Sequence, residues 1–366
     1  MALTLHGTVA DNTAVLSRPS ANPLIINGDM EVAQRGTSFA SQTGVAYHLD
    51  RFETSGFNMG DGVYRVDQST NVPAGQGFPK SCKVFCTTAD TSQDANNQFY
   101  FQTQLEGNST SFLNYFASSP DTVSIAFWVQ SNRTGTHSLA LKLSHNGSAE
   151  NNSGTRVYNK LYTIDSANTW EKIVCAIPLD STSKTKVTGT GFAVAVQFWM
   201  GAGTNRDGAA AGSWIDNGNA TTASANEDML ASTNNNWFIT GLQLEVGDFD
   251  VNSIPPFQHE SFGDSLRRCQ RYRYQYSGVN AEDTGSLAYL FPIDVTRNFR
   301  RGDVYFPTQM RAAPTITRPS GRLNNSSDIT LVAQNQNINS FSLAFGVSTA
   351  NTDYVQISGY EATAEL

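Results

Sequence analysis

Residues that could carry out catalysis form no recognisable motif in this sequence. It contains no His-Glu-x-x-His, no Gly-x-Ser-x-Gly, no phosphate loop and no Cys-x-x-Cys pair. The histidines are scattered, which favours surface or core roles over that of a catalytic base. A carboxylate pair for glycoside cleavage leaves no local signature, because the fold sets its separation. We therefore predict no catalytic residue and keep a polysaccharide-degrading enzyme as an alternative.

Aromatic and amide side chains offer a better-supported chemistry, the binding of sugars. The C–H faces of pyranoses stack on flat rings, whereas their hydroxyls need directed hydrogen-bond partners. Trp214 is the first candidate, because it stands alone in a polar segment where no core explains it. Tyr47, Asp50 and Trp237 complete the set of glycan-binding candidates. Core packing is the competing role for the aromatic members.

Short alternating strands must position these side chains. In Phe192–Trp199 and in Val123–Val129 every second residue is large and apolar, the period of a strand with one buried face. Eight or more such strands recur between residues 24 and 260, with Asn, Ser, Thr and Gly in the turns. The pattern predicts an all-β fold whose main part, 24–260, is a jelly-roll-like antiparallel β-sandwich.

Two segments interrupt this rhythm. Residues 1–23 are polar and weakly patterned, and we predict an N-terminal attachment arm there, with a frayed terminus as the alternative. Residues 201–236 are rich in Gly, Ala and Asn and show no period. Such a long loop is typical of a binding loop, although simple decoration is equally consistent with it.

The sandwich is followed by a predicted helical joint over 261–276. Ser261 can cap a helix with Asp264 three residues later, and apolar residues then recur at near-helical spacing. Residues 277–366 return to short strands and predict a smaller C-terminal β domain. Small β units often complete their cores by forming oligomers, so the domain favours self-association.

The charge and the cysteines of the sequence limit the kinds of partner and the cell compartment that we expect. The formal net charge is -8, with the acidic excess before the joint, which argues against nucleic acid as a partner. The four cysteines form no disulfide framework and are expected to be reduced and buried. The sequence has no signal-peptide pattern and no apolar run that could insert into a membrane, so we expect synthesis in a cytoplasm.

Three stretches resemble virion proteins of tailed bacteriophages, tail fibres in particular. They are Asn27-Gly28 with Tyr47-His-Leu-Asp-Arg-Phe52, Gln243-Leu-Glu-Val-Gly247 with Cys269-Gln-Arg-Tyr272, and Met310-Arg-Ala-Ala-Pro-Thr-Ile-Thr317. The resemblance implies a location in a virion, contact with other virion proteins of tail or head, and a homotrimer, the usual assembly of a fibre.

The opening of the sandwich also resembles carbohydrate-binding modules. In those modules early and late acidic residues can hold a structural calcium, which takes oxygen ligands. Carried over, the resemblance implies Glu31 and Glu245 as metal ligands, with Asp29 as a third. A salt bridge from these carboxylates to Arg35 or Arg51 is the alternative. No other cofactor is expected.

The leading hypothesis is a phage virion structural protein, a tail fibre that docks to the particle and contacts host-surface glycans during adsorption. A head fibre, decoration protein or tail adaptor without glycan binding is the second hypothesis. The tripeptide Arg301-Gly-Asp303 matches an integrin-type motif, but three residues recur often by chance.

Overall fold

The structure is a computed structural model. It describes residues 23–148, 154–217, 222, 228–277, 287–289, 299–317, 321–323, 328–329, 331–346, 355–357 and 359–366. Residues 1–22, almost all of the predicted attachment arm, lie outside this set. The described elements are antiparallel strands with two short α-helices, which confirms the predicted all-β class.

Two antiparallel sheets form the predicted jelly-roll-like sandwich. Sheet A has six strands in the order β1-β4-β5-β13-β7-β10, and sheet B has seven in the order β12-β9-β8-β11-β6-β3-β2. The strands are β1 Ser38–Gln42, β2 Ala46–Tyr47, β3 Phe52–Phe57, β4 Val63–Ser69, β5 Ser81–Thr88, β6 Gln98–Glu106, β7 Thr122–Ser131, β8 Gly135–Ser144, β9 Thr155–Ile164, β10 Glu171–Pro178, β11 Phe192–Ala202, β12 Trp214–Asp216 and β13 Asn236–Val246.

Aromatic side chains from both sheets fill the space between them. Phe127 of sheet A meets Phe198 of sheet B with ring centroids 4.9 Å apart, and Trp237 lies 5.6 Å from Phe101 in the same way. Their strand neighbours point to the opposite faces, because side chains alternate along a strand. Burial of these large rings is the main stabilising contribution to the sandwich.

The segment 201–236 is more ordered than its composition suggests. Strand β11 continues to Ala202, β12 pairs with β9, and Met229–Ala231 forms a single 3-10 turn. The side chain of Asp228 caps this turn by accepting a hydrogen bond from the Leu230 amide. Residues 218–221 and 223–227 lie outside the described part of the chain.

The helical joint has the predicted cap. Its helix spans Phe262–Gln270, and the Ser261 side chain accepts a hydrogen bond from the Asp264 amide. Cys269 and Ser265 lie on its buried side. The helix of nine residues satisfies its first turn locally, as a helix N-terminus requires.

Chain contacts divide the molecule into two compact units. The first is the sandwich, and the second contains residues 261–366 together with the short segments Val32–Thr37 and His48–Arg51. Within the second unit the described strands form three small sheets. Its strands are β14 Arg273–Ser277, β15 Leu287–Tyr289, β16 Phe299–Tyr305, β17 Thr315–Thr317, β18 Gly321–Leu323, β19 Asp328–Ile329, β20 Leu331–Gln334, β21 Ser340–Gly346, β22 Val355–Ile357 and β23 Gly359–Thr363.

All four cysteines are free and buried, as predicted. Burial raises the pKa of the Cys82, Cys175 and Cys269 thiols, so their reactive thiolate form is disfavoured. Among the described residues no helix is long and apolar enough to cross a membrane.

Candidate functional site

A continuous row of side chains crosses the outer face of sheet B. The strand register aligns one residue from each of six neighbouring strands, and five strand spacings make the row roughly 24 Å long. We call it the amide row, and its members in order are Tyr47, Glu53, Gln102, Gln197, Ala140 and Asn159. It lies on the face of sheet B that points away from sheet A, because Phe101 and Phe198, the sequence neighbours of its two glutamines, face sheet A. All its members except Tyr47 are buried, and Ala140 packs with Tyr100 and Trp199 in a second hydrophobic cluster.

Hydrogen bonds connect the middle of the amide row. Gln102 donates through Nε2 to Glu53 Oε1 at 2.9 Å, and Gln197 donates through Nε2 to Gln102 Oε1 at 2.8 Å. Both hydrogen bonds therefore point the same way along the row, and the last acceptor is the carboxylate of Glu53. Such coupled side chains hold one another in fixed orientations, which is the preorganisation that polar recognition requires.

The far end of the row carries buried polar atoms without partners. Asn159 is fully buried, and among the described residues neither its side-chain oxygen nor its side-chain nitrogen has a hydrogen-bond partner. The Trp199 indole nitrogen and the Ser55 hydroxyl, on the next row of the same face, are in the same state. Buried polar groups are normally paired with protein or water, so these atoms have hydrogen-bonding capacity that the protein itself does not use.

Aromatic rings flank the row on one side. Tyr100 and Trp199 are opposite each other in the register, with ring centroids 5.0 Å apart. Lys142 places its ammonium 5.8 Å from the Tyr100 ring. The sequence analysis expected sugar binding to combine amides with aromatic rings. The residues that form this combination here are not the ones proposed from the sequence.

Trp214 has a structural role that the sequence did not predict. It begins strand β12, its ring lies 5.5 Å from that of Tyr158, and its indole nitrogen donates to the Pro178 carbonyl at 2.8 Å. Because Pro178 ends a strand of sheet A, Trp214 closes one edge of the sandwich. The structure therefore gives this residue partners at the sheet edge, and its role in glycan binding stays a prediction.

The other three glycan candidates have different environments. Trp237 is 1% exposed inside the sandwich, where it packs on Phe101 and Phe198, so its environment is that of a core residue. Asp50 is also buried and accepts hydrogen bonds from the Gln34 amide and side chain, both at 2.6 Å. Tyr47 is half-buried and stands at the open end of the amide row.

The carboxylates assigned to calcium remain a prediction. Within the described residues no group of three or more His, Cys, Asp or Glu side chains is close enough together to hold a metal. Burial raises the pKa of Asp29 and of Glu31, and the negative charge of Asp29 raises the pKa of Glu31 further. Gln68 donates to the Met30 and Glu31 carbonyls, which fixes the backbone here without an ion.

Parts of the virion-like stretches lie in the second unit, whereas Asn27-Gly28 and Gln243–Gly247 belong to the sandwich. Arg51 and Arg35 both pair with the buried Glu365 carboxylate, and the Arg51 guanidinium lies 3.5 Å from the centre of the Tyr272 ring. Arg311 donates to the carbonyls of Ala364 and Glu365 at 2.8 and 2.7 Å. The motifs that suggest the family are therefore architectural in this unit.

The Arg301-Gly-Asp303 tripeptide lies in strand β16, paired with β21. The Ser342 hydroxyl donates to Asp303 at 2.6 Å, so this carboxylate has a structural partner.

Sequence reasoning missed Gln102, Gln197 and Asn159. A glutamine next to an inward-facing phenylalanine had a signal, since it must point away from the core. The pairing that aligns Gln102 with Gln197, 95 residues apart, had none.

The chain matches no family model and no curated protein. Solved structures with which it aligns include a family 11 carbohydrate-binding module from Clostridium thermocellum, at 10% identity and a TM-score of 0.29, covering 59% of this chain and 99% of that one. Another is the xylan-binding CBM22-1 domain from Paenibacillus barcinonensis, at 11% identity and a TM-score of 0.29, covering 62% and 96%. Likeness this weak leaves the function to be argued from the side chains.

Proposed function

We propose that the sandwich binds a glycan along the amide row. The observation that carries the proposal is the aligned row itself, in which two hydrogen-bonded glutamines lead to an asparagine with unpaired polar atoms. Sugar hydroxyls both donate and accept, and so do amides. A linear saccharide crossing the strands would meet such groups at each strand spacing.

A binding assay with row variants tests the proposal. Wild-type protein is screened on a glycan array, and the Kd of the best oligosaccharide is then measured by calorimetry. Gln197→Ala and Gln102→Ala should weaken binding about tenfold, because each leaves a buried polar partner unpaired. Gln76→Ala, at an exposed glutamine, is the control and should bind normally. If the row variants bind as tightly as wild type, the site is elsewhere.

We infer further that the protein is a virion component, a tail fibre that contacts host-surface glycans during adsorption. The three virion-like stretches support this, as does the fact that each contributes one residue, Arg51, Tyr272 or Arg311, to contacts within the second unit. Antibody labelling of purified phage particles, seen by electron microscopy, tests the location. Labelled tails with normal adsorption of a Gln197→Ala phage would favour the alternative of a purely structural virion protein.

A trimer and a structural calcium complete the proposal. Sedimentation equilibrium should give three times the monomer mass, and a stable monomer would contradict it. Chelation with EDTA should lower the Tm if Asp29, Glu31 and Glu245 hold calcium, and an unchanged Tm would remove the metal.

A further inference from the structure

The outer face of sheet A carries a second set of aromatic residues. Its lower half is covered by the chain's own segment after β13: the Phe249 amide donates to the Ser124 hydroxyl at 2.9 Å, and Gln243 donates to the Pro255 carbonyl at 3.0 Å. Its upper half, where Trp128, Trp170 and Phe238 lie, has no such cover among the described residues. Large rings on a solvent-facing sheet surface point to a binding role.

Trp128 is the centre of this surface. It is half-buried, its inward neighbour Phe127 occupies the core, and the register places it between Thr240 and Lys172. Among the described residues the Trp128 indole has no ring partner and no hydrogen-bond partner. The ring is therefore not committed to another aromatic side chain.

Trp170 is held in place by a chain of amides. Its indole nitrogen donates to Asn71 Oδ1 at 3.2 Å, Asn71 donates to Gln130, and Gln130 donates to the Asn168 carbonyl at 2.6 Å. The ring also lies 6.1 Å from that of Phe238 in an edge-to-face arrangement. This indole is thus fixed before any ligand arrives, which lowers the entropy lost on binding.

The charges on this half of the face are mostly positive. The register places Lys83, Lys172 and Arg65 here, and among the described residues of this half Arg65 pairs with the Asp67 carboxylate at 2.9 Å, which leaves the two lysines in excess. The formal net charge of the chain is -8. The Lys83 ammonium lies 4.2 Å from the Phe85 ring and 5.4 Å from the Phe238 ring. A local excess of cations favours an anionic ligand.

We propose that this surface, the Trp128 patch, is a second binding site that takes an acidic polysaccharide. Trp128 and Trp170 supply stacking faces, Asn71 and Gln130 supply polar edges, and Lys172 with Lys83 meets the carboxylates of the sugar. Protein partners fit less well, because the patch alternates rings with charges and amides and has no continuous apolar centre. The patch is distinct from the amide row and does not depend on it.

The test measures binding of the full chain to alginate, a polyuronate, and to neutral β-glucan. Wild type should bind alginate more tightly, and NaCl at about 0.5 M should weaken that binding. Trp128→Ala should weaken alginate binding roughly tenfold and Lys172→Gln roughly threefold. The controls, Phe112→Ala and Lys184→Gln, change exposed residues elsewhere and should bind normally.

Three results would overturn the proposal: no alginate binding by wild type, equal affinity for both polymers, or unchanged affinity in Trp128→Ala. If Trp128→Ala does not fold, Trp128→Phe keeps a ring in place, and Lys172→Gln with the salt series still decides the charge argument. Gln197→Ala should leave alginate binding intact. The proposal for the amide row and the proposal for the Trp128 patch can therefore be contradicted independently of each other.

Discussion

Asn159 links the stability of the sandwich to its proposed binding role. Its side chain is fully buried and has no hydrogen-bond partner among the described residues, while its carbonyl accepts from the Gly212 amide. An unpaired buried polar group costs about 1–3 kcal/mol, so a residue of this kind is kept for a reason other than stability.

We therefore predict that Asn159→Leu raises the stability of the protein and weakens glycan binding. The backbone hydrogen bond to Gly212 is kept and the unpaired amide is removed, which should stabilise the fold by about 1 kcal/mol. Urea unfolding and calorimetric titration check the two effects. A variant that is less stable and binds normally would show that Asn159 is a structural residue with a partner.

His48 should make the second unit sensitive to acid. Burial, followed by the nearby Arg35 charge, lowers its pKa from 6.5 to about 4. The unfolded chain binds a proton on this residue below pH 6.5 and the native state does not, so stability is complete above pH 6.5 and falls as the pH drops toward 4. The loss is about 3 kcal/mol.

Comparing wild type with His48→Gln isolates this effect. Burial raises the pKa of Asp50, which acts in the opposite direction and reduces the total slope in both proteins. Unfolding free energies between pH 4 and 7 should fall more steeply in wild type. Parallel curves would mean that His48 titrates normally.

At the scale of elements, the sequence predicted which way side chains face but not which strands are neighbours. Alternation required one residue of each neighbouring aromatic pair to face the core, because the polarity of a strand is local information. The structure places Phe127 and Phe198 there. The amide row needs β6 to pair with β11, a contact set by the whole topology. The same limit explains Trp214, whose partners Tyr158 and Pro178 belong to distant strands.

Gly28 explains why the Asn27-Gly28 motif and the last sandwich strand occur together. The Gly28 carbonyl accepts from the Leu242 amide at 2.9 Å, and a Cβ at Gly28 would lie 2.2 Å from the Leu242 carbonyl oxygen. This backbone approach leaves no room for a side chain. The glycine of this motif is therefore needed for the close packing of the Gly28 segment against strand β13.

Gly28→Ala should destabilise the sandwich by about 2 kcal/mol, because backbone must move to admit the methyl group. Gly44→Ala is the matched control, since a Cβ there meets nothing within 4 Å. Thermal unfolding of the two variants is the measurement. Equal Tm values for both would show that the approach at Gly28 is looser than described.

At the scale of the molecule, the second unit is built from discontinuous pieces of chain. Its buried cluster uses Gln34 and Arg35, which precede β1, Asp50 and Arg51, which lie between β2 and β3, and Glu365. The sequence placed the boundary at the helix from Ser261 onward, because composition and pattern change there. It gave no sign that two short early segments belong to the later unit.

A fragment of residues 261–366 should therefore fail to fold alone. Glu365 would lose both arginine partners, and breaking a buried ion pair costs about 3–5 kcal/mol, comparable to the stability of a small domain. Dispersion of amide signals in an NMR spectrum is the readout, with the full chain as control. A cooperatively folded fragment would contradict the assignment of residues 32–37 and 48–51 to this unit.

The amide row is the central claim, and the most direct test is a crystal structure of the full chain with the oligosaccharide selected on the glycan array. The saccharide should lie across the strands of sheet B, with hydroxyls within hydrogen-bond distance of Gln102, Gln197 and Asn159. A sugar bound at another surface, with the row unchanged and its side chains still buried, would contradict the account.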